Sequence, residues 1–267
     1  MSATVDKAVI EVRDLVTHYG DRRILDSVDL EVMAGEIRVI MGGSGSGKST
    51  LLRHLLGLKR PTSGSVRLLG KDINRLGGQE MYELRRQIGV AFQGGALFTS
   101  MTVGENVMFP LREHTRLDEQ TMRIMSRMKL EVVNLAGFEH LMPAELSGGM
   151  IKRAALARAI VMDPRLLFFD EPSAGLDPVV SAELDELILR LRDSMNITIV
   201  VVTHELDSAF KIADSITVLD GGRVLMSGSV EEVRASDDPR IRALLNRTPT
   251  AGEVDADDYL ERLTRTH

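Results

Sequence analysis

Residues 42–49 read GGSGSGKS and fit the pattern G-x-x-x-x-G-K-[ST]. Each residue type in that spacing has a physical task. Gly42, Gly43, Ser44, Gly45, Ser46 and Gly47 form a loop with little side-chain bulk, so backbone N–H groups can wrap phosphates. Lys48 places a cation near the β- and γ-phosphates, and Ser49 offers a hydroxyl to Mg²⁺. Thr50 closes the segment. An apolar run, EIRVIMG, leads into the loop, and KSTLLRHLLGL leaves it with helical spacing of Leu51, Leu52, Leu55 and Leu56. The context is therefore strand, loop, helix, which is the one the pattern requires.

Other residues could complete such a site. RLLFFDE ends an apolar run in two carboxylates: Asp170 could join a Mg²⁺ shell, and Glu171 could orient and deprotonate a water. Taken alone, an Asp-Glu pair reads equally as an ordinary strand end. His204, after ITIVVVT, is either a γ-phosphate contact or a hydrogen-bonded rim histidine. Gln93, after VAF, is polar at a strand end and could reach Mg²⁺ or water. Tyr19 could stack on a base or be a half-buried tyrosine. A second anion grip follows about a hundred residues after the first. Ser147, Gly148 and Gly149 open a helix in ELSGGMIKRAALARA, and the first turn of a helix carries unpaired N–H donors at its positive dipole end.

These groups need a scaffold. AVIEVRDLVTHYG, ILDSVDLEVMAGEIRVIMG, GSVRLLGKDI and IGVAFQ read as strands. RLLFFDE and ITIVVVTHE suit buried parallel strands, with SAELDELILRLRD a helix between them. ITVLDGGRVLMSGS reads as a hairpin about Asp220, Gly221 and Gly222. Past Gln93 the pattern turns helical. Thr102 and Glu105 have capping-box spacing, LDEQTMRIMSRMKLEVVNLAG is a helix ending near Gly137, and SGGMIKRAALARAIV ends before Pro164. The chain divides into an α/β part over 1–93, a helical insertion over 94–163, a second α/β part over 164–228, and a polar extension over 229–267. Met122, Met125 and Met128 form a stripe expected to pack, while Arg123, Arg127 and Lys129 read as a solvated face. Composition favours disorder in the acidic tail after Pro249, although DYLERL could dock as a helix or strap a neighbouring subunit.

Bulk properties exclude several classes. A formal net charge of -6 argues against sequence-independent nucleic-acid binding. The absence of cysteine removes disulfides, thiol chemistry and cysteine zinc sites. The N-terminus carries no apolar signal region, and no apolar stretch is long enough to span a bilayer, so a membrane role would come through a partner.

GGSGSGKST, Gln93, LSGGM, LLFFDEP, SAGLDP and VVVTHE occur in the order and spacing of the nucleotide-binding subunits of ABC transporters, a resemblance covering about residues 8–228. It implies a P-loop NTPase fold of the ABC ATPase type, with a RecA-like core, an antiparallel β portion and an α-helical insertion. It also implies ATP with Mg²⁺, and a homodimer in which Ser147, Gly148 and Gly149 grip a nucleotide held by the partner's phosphate loop. Asp177 would lie at that interface, Glu171 and His204 would be catalytic, Tyr19 would contact the base, and Ser49, Gln93 and Asp170 would serve the metal. The signature commonly ends in Gln where this chain has Met150. Within the family, FQGGALFTSMTVGENVMFPLREHT and DDPRIRALLN resemble the ATPases of Mla-type phospholipid transporters of Gram-negative envelopes. Their partners imply an integral membrane permease, a small STAS-domain subunit and an MCE-domain lipid-binding protein, with this chain on the cytoplasmic face of the inner membrane. The alternatives are the ATPase of a small-solute, amino-acid type importer and a soluble ABC ATPase. The second lacks support here, because there is neither a long coiled coil nor a second copy of the motifs.

Overall fold

The computed structural model describes residues 8–248. The acidic tail, with its expected disorder and its DYLERL helix or strap, lies outside the described residues.

Two sheets organise the chain. Strands β1 (Ala8–Tyr19), β2 (Arg22–Met33), β4 (Ser63–Leu68) and β5 (Lys71–Asp72) form an antiparallel sheet in the order β2-β1-β4-β5. In β1 the alternation buries Ile10 and Val12, breaks at exposed Arg13 and Asp14, and resumes with Leu15 and Thr17. Asp14 has a left-handed φ of 46° there, and the pairing register to β2 shifts between Val12 and Leu15, as a bulge requires.

The second sheet has six strands in the order β10-β9-β3-β8-β7-β6. Strands β3 (Ile37–Gly42), β6 (Ile88–Ala91), β7 (Leu166–Asp170), β8 (Thr198–Val202) and β9 (Ser215–Asp220) run parallel. The near-continuous apolar runs of β3, β7 and β8 are buried on both faces, which is why they do not alternate. Strand β10 (Arg223–Gly228) returns antiparallel to β9 through Gly221 and Gly222, so the expected hairpin is present. Helix α1 (Lys48–Leu55) follows the phosphate loop, and α2 (Gly78–Arg85) precedes β6.

Helices α3 (Val103–His114), α4 (Glu119–Val132) and α5 (Gly148–Ile160) lie between β6 and β7, with a 3₁₀ turn at Pro143–Glu145. Thr102 caps α3 by the expected box: its hydroxyl accepts from Glu105 N at 3.2 Å, and the Glu105 carboxylate accepts from Thr102 N at 2.8 Å. Buried Val103, Val107, Leu130, Leu156 and Ile160 belong to one apolar cluster with Ile37, Val39 and Ile199 of the parallel sheet. The helices are therefore fixed to the sheet by a shared core.

Three expectations need correction. Helix α4 stops at Val132, not near Gly137, because Asn134 takes a left-handed φ of 58° and Leu135 N returns to Leu130 O at 2.7 Å. The methionine stripe splits: Met122 is buried and Met125 packs on the core, but Met128 turns out to solvent as the 100° helical step carries it round. Lys129 is not solvated, since its side chain is largely covered and pairs with Asp163. Helix α6 (Pro178–Met195) lies between β7 and β8, and α7 (Leu206–Ile212), α8 (Val230–Arg234) and α9 (Pro239–Leu245) follow β8. Buried Val233 and Ile241 anchor the first part of the polar extension to the core.

Candidate nucleotide site

Parallel strands deliver their carboxyl ends to one edge, and the registers Ile40 with Val202, Asp170 with Val202, and Ala91 with Phe169 keep β3, β8, β7 and β6 level there. The residues that follow these ends form one side of a cavity of about 840 Å³, and Leu225 of β10 with Arg240, Leu244 and Arg247 of the C-terminal extension form another. Its wall contains Gly42, Gly43, Ser44, Gly45, Lys48, Ser49, Gln93, Asp170, Glu171 and His204. A crevice at the carboxyl edge of an open parallel sheet is where such folds bind ligands.

The phosphate loop is shaped by close approach. A Cβ on Gly42 would sit 2.1 Å from Leu219 O, so only glycine lets β3 turn into the loop beside β9. Gly47 has φ of 104° at the start of α1, where the helix's own N–H groups are exposed to the loop. The Lys48 ammonium folds onto the loop and donates to the carbonyls of Gly42 (2.8 Å) and Gly43 (2.9 Å). Burial pushes Lys48 below the usual lysine range, and the carboxylates of Glu171 and Asp170 oppose that shift. The Ser46 hydroxyl is buried without a hydrogen-bond partner. A helix N-terminus and a desolvated cation on one concavity fit an anionic phosphate chain.

At the opposite wall, burial raises Asp170 above the ordinary carboxylate range, neighbouring Glu171 adds to it, and Arg53, Lys152 and Lys48 pull it back. Glu171 is a non-glycine residue at a left-handed φ of 48°. Its N–H donates to Val202 O at 2.8 Å. Its Oε2 accepts from Thr203 Oγ1 (3.1 Å) and His204 N (3.3 Å), and its Oε1 accepts from His204 Nδ1 (2.9 Å). A carboxylate only accepts, so His204 Nδ1 carries a proton in this bond. Among the described residues no three His, Asp or Glu side chains group to hold a metal alone. An ion between Ser49, Asp170 and Gln93 would take its remaining ligands from phosphate and water, as Mg²⁺ commonly does.

Not every expected residue joins this wall. Ser46, Gly47 and Thr50 stand behind it. Tyr19 lies outside it at the end of β1, with Lys59 Nζ 3.0 Å above its ring centre and Arg53 donating to its hydroxyl at 3.3 Å. Ser147, Gly148, Gly149 and Asp177 do not line the cavity. They gather elsewhere: Ser147 caps α5 by accepting from Met150 N at 3.3 Å, and Asp177 caps α6 by accepting from Val179 N and Val180 N. A Cβ on Gly149 would come 2.8 Å from Val180 Cγ1, which presses the two helix starts together. Thr203 and Lys152 join the site with no local sequence signal: Thr203 is the last residue of an apolar run and bonds Glu171, and Lys152 is one of several charges along α5 and donates to Glu171 O.

A parallel sheet with a phosphate loop at one strand end and paired carboxylates at another defines a P-loop nucleoside triphosphatase. The profile of the family described as ABC transporter matches residues 25–174. The chain is 43% identical over 97% of its length, and 99% of the relative's, to the intermembrane phospholipid transport system ATP-binding protein of Haemophilus influenzae. It is 42% identical over 89% of its length to the Escherichia coli protein of that name, covering 88% of it. A Mycobacterium leprae protein named as a probable ribonucleotide transport ATP-binding protein is 44% identical over 89% of this chain, which covers 68% of that longer relative. Among solved structures, a dimeric ATP-binding cassette in a post-hydrolysis state with ADP and phosphate superposes with a TM-score of 0.76 at 31% identity, covering 83% of this chain and 98% of that one. A Clostridium perfringens subunit of an ABC transporter complex gives 0.79 at 29% identity, covering 96% and 99%. The chain belongs to the ABC transporter family and is an ATP-hydrolysing, ATP-binding member of it.

Proposed function

We propose that this ATPase powers phospholipid movement between the inner and outer membranes of a Gram-negative envelope. The observation that carries this reading is the end-to-end likeness to the Haemophilus influenzae phospholipid transport protein, which includes the polar extension beyond the ABC motifs. Among the described residues no helix is long and apolar enough to cross a membrane. An integral permease supplies the passage, and the chain sits peripherally on the cytoplasmic face of the inner membrane. A STAS-domain small subunit and an MCE-domain lipid-binding protein complete the assembly. Within the chain, the α/β parts over 1–93 and 164–228 bind nucleotide, the insertion over 94–163 carries the second grip, and 229–267 is a C-terminal extension.

Two copies are needed because one chain keeps its two phosphate grips apart, the signature triad lying off the wall around Lys48. Facing copies place Ser147, Gly148 and Gly149 of one against the nucleotide of the other, with Asp177 beside them. Lys48 then leaves the carbonyls of Gly42 and Gly43 for phosphate oxygens. Glu171 takes a proton from the attacking water, and His204 presents its Nε2 side to the cavity. Ser49, Gln93 and Asp170 would hold Mg²⁺, which would supply charge neutralisation for the phosphates. Tyr19 reaches the base once the nucleotide extends past α1.

Partner identification tests the reading. The tagged chain is drawn from native membranes in mild detergent, and its proteins and lipids are analysed by mass spectrometry. A permease with MCE-domain and STAS-domain partners plus phospholipid is the expected result. A different permease with a soluble solute-binding protein would instead mark a small-solute importer and remove the lipid assignment.

A further inference from the structure

The helix that begins with the second grip also faces back into its own chain. On α5, Lys152 Nζ donates to the carbonyl of Gln93 and, at 3.1 Å, to that of Glu171. One helix face further on, Arg158 donates to the carbonyls of Ala96 (2.7 Å) and Gly95 (2.8 Å). Two cations of one helix thus hold four carbonyls, from the loops that leave β6 and β7. Three of those acceptor residues have left-handed backbones: Gly95 (φ 74°), Ala96 (φ 48°) and Glu171 (φ 48°). For Ala96 and Glu171 that conformation costs free energy and persists only where neighbours hold it. The packing agrees, since a Cβ on Gly95 would lie 2.6 Å from Ile151 Cγ2 of the same helix. Burial holds both Lys152 and Arg158 below their usual ranges, as for cations drawn out of water onto fixed dipoles.

We propose that Lys152 and Arg158 clamp residues 93–96 and Glu171 to the signature helix, so that Gln93 and Glu171 move with Ser147 as one body. A phosphate bound at Ser147 on one face of the helix would then set the position of the water-activating carboxylate at its other face. Each nucleotide site would sense the occupancy of its twin through Lys152, a positioning residue that touches neither nucleotide. The inference rests on the assignment of Gln93 and Glu171 to γ-phosphate chemistry.

The test uses the full chain and separates binding from turnover. Lys152→Met keeps the stem and removes the charge. ADP affinity by calorimetry should stay within about threefold, because the phosphate loop is untouched. The turnover number should fall about tenfold or more, the order expected when a charge-assisted hydrogen bond is lost. Lys152→Arg should recover most of it, since guanidinium can reach both carbonyls. Arg158→Lys, which keeps the charge but cannot fork, gives a second route if Lys152→Met folds poorly, and should lower turnover without changing ADP affinity. Wild-type turnover in a folded Lys152→Met or Arg158→Lys protein would overturn the clamp. So would a joint fall of affinity, turnover and melting temperature that Lys152→Arg does not restore. Glu171→Gln serves as control: wild-type turnover there refutes the site assignment itself, whereas loss there with no effect at Lys152 refutes only the clamp.

Discussion

Replacing Glu171 by Gln removes the proton acceptor while disturbing little else, and the surrounding geometry says how little. Glu171 accepts three hydrogen bonds, from Thr203 Oγ1 and His204 N on one oxygen and from His204 Nδ1 on the other. A glutamine oxygen turned toward Thr203 keeps two of them. Its amide then faces His204 Nδ1, which must become the acceptor. The ring can comply by moving its proton to Nε2, where Glu205 Oε1 lies 3.5 Å away. The exchange trades one hydrogen bond for another, so stability should change by no more than about 1 kcal/mol. Turnover should fall by roughly 10²- to 10⁴-fold, the usual worth of a positioned general base, or about 3–5 kcal/mol of barrier. Steady-state phosphate release measures the rate, ADP calorimetry shows the site intact, and ¹⁵N-edited NMR of the ring reads the tautomer of His204. Turnover within threefold of wild type would remove Glu171 from the base role. An unchanged His204 tautomer would refute the hydrogen-bond argument even if turnover fell.

Lys48→Ala should weaken nucleotide affinity by at least about tenfold, and unchanged calorimetric affinity would dismiss the phosphate-loop assignment. Asn106→Leu should destabilise by about 3 kcal/mol or more, seen in urea unfolding, because buried Asn106 bonds Phe98 N and the carbonyls of Phe98, Met101 and Thr102. Buried His54, bonded to Thr17 Oγ1 at 2.6 Å and Lys59 O at 2.9 Å, is held below its usual value of 6.5 chiefly by burial. The unfolded chain therefore binds a proton that the folded chain refuses. Stability from this group is complete above about pH 6.5 and declines as pH falls toward the folded value, so His54→Gln should flatten the slope of unfolding free energy below about pH 6.5.

The parts legible in the sequence are those whose physics is local. GGSGSGKS and the capping pair Thr102 and Glu105 act within eight residues, and the apolar runs of β7 and β8 announce burial by themselves. Position across the chain was not legible. Lys152 looks like the charged face of a helix, and only the meeting of α5 with a loop 59 residues earlier turns it into a donor to Gln93 O. Lys129 was misread for the same reason, its partner Asp163 being 34 residues on. Tyr19 shows the converse, because the family resemblance implies a base contact while the fold gives one face of its ring to Lys59. Lys59 covers one face of the ring, so a base would stack on the other face or displace the ammonium. If stacking is its role, Lys59→Met should leave phosphate-loop binding of inorganic triphosphate unchanged while altering the affinity for ATP. Equal changes for both ligands would place Tyr19 outside base recognition.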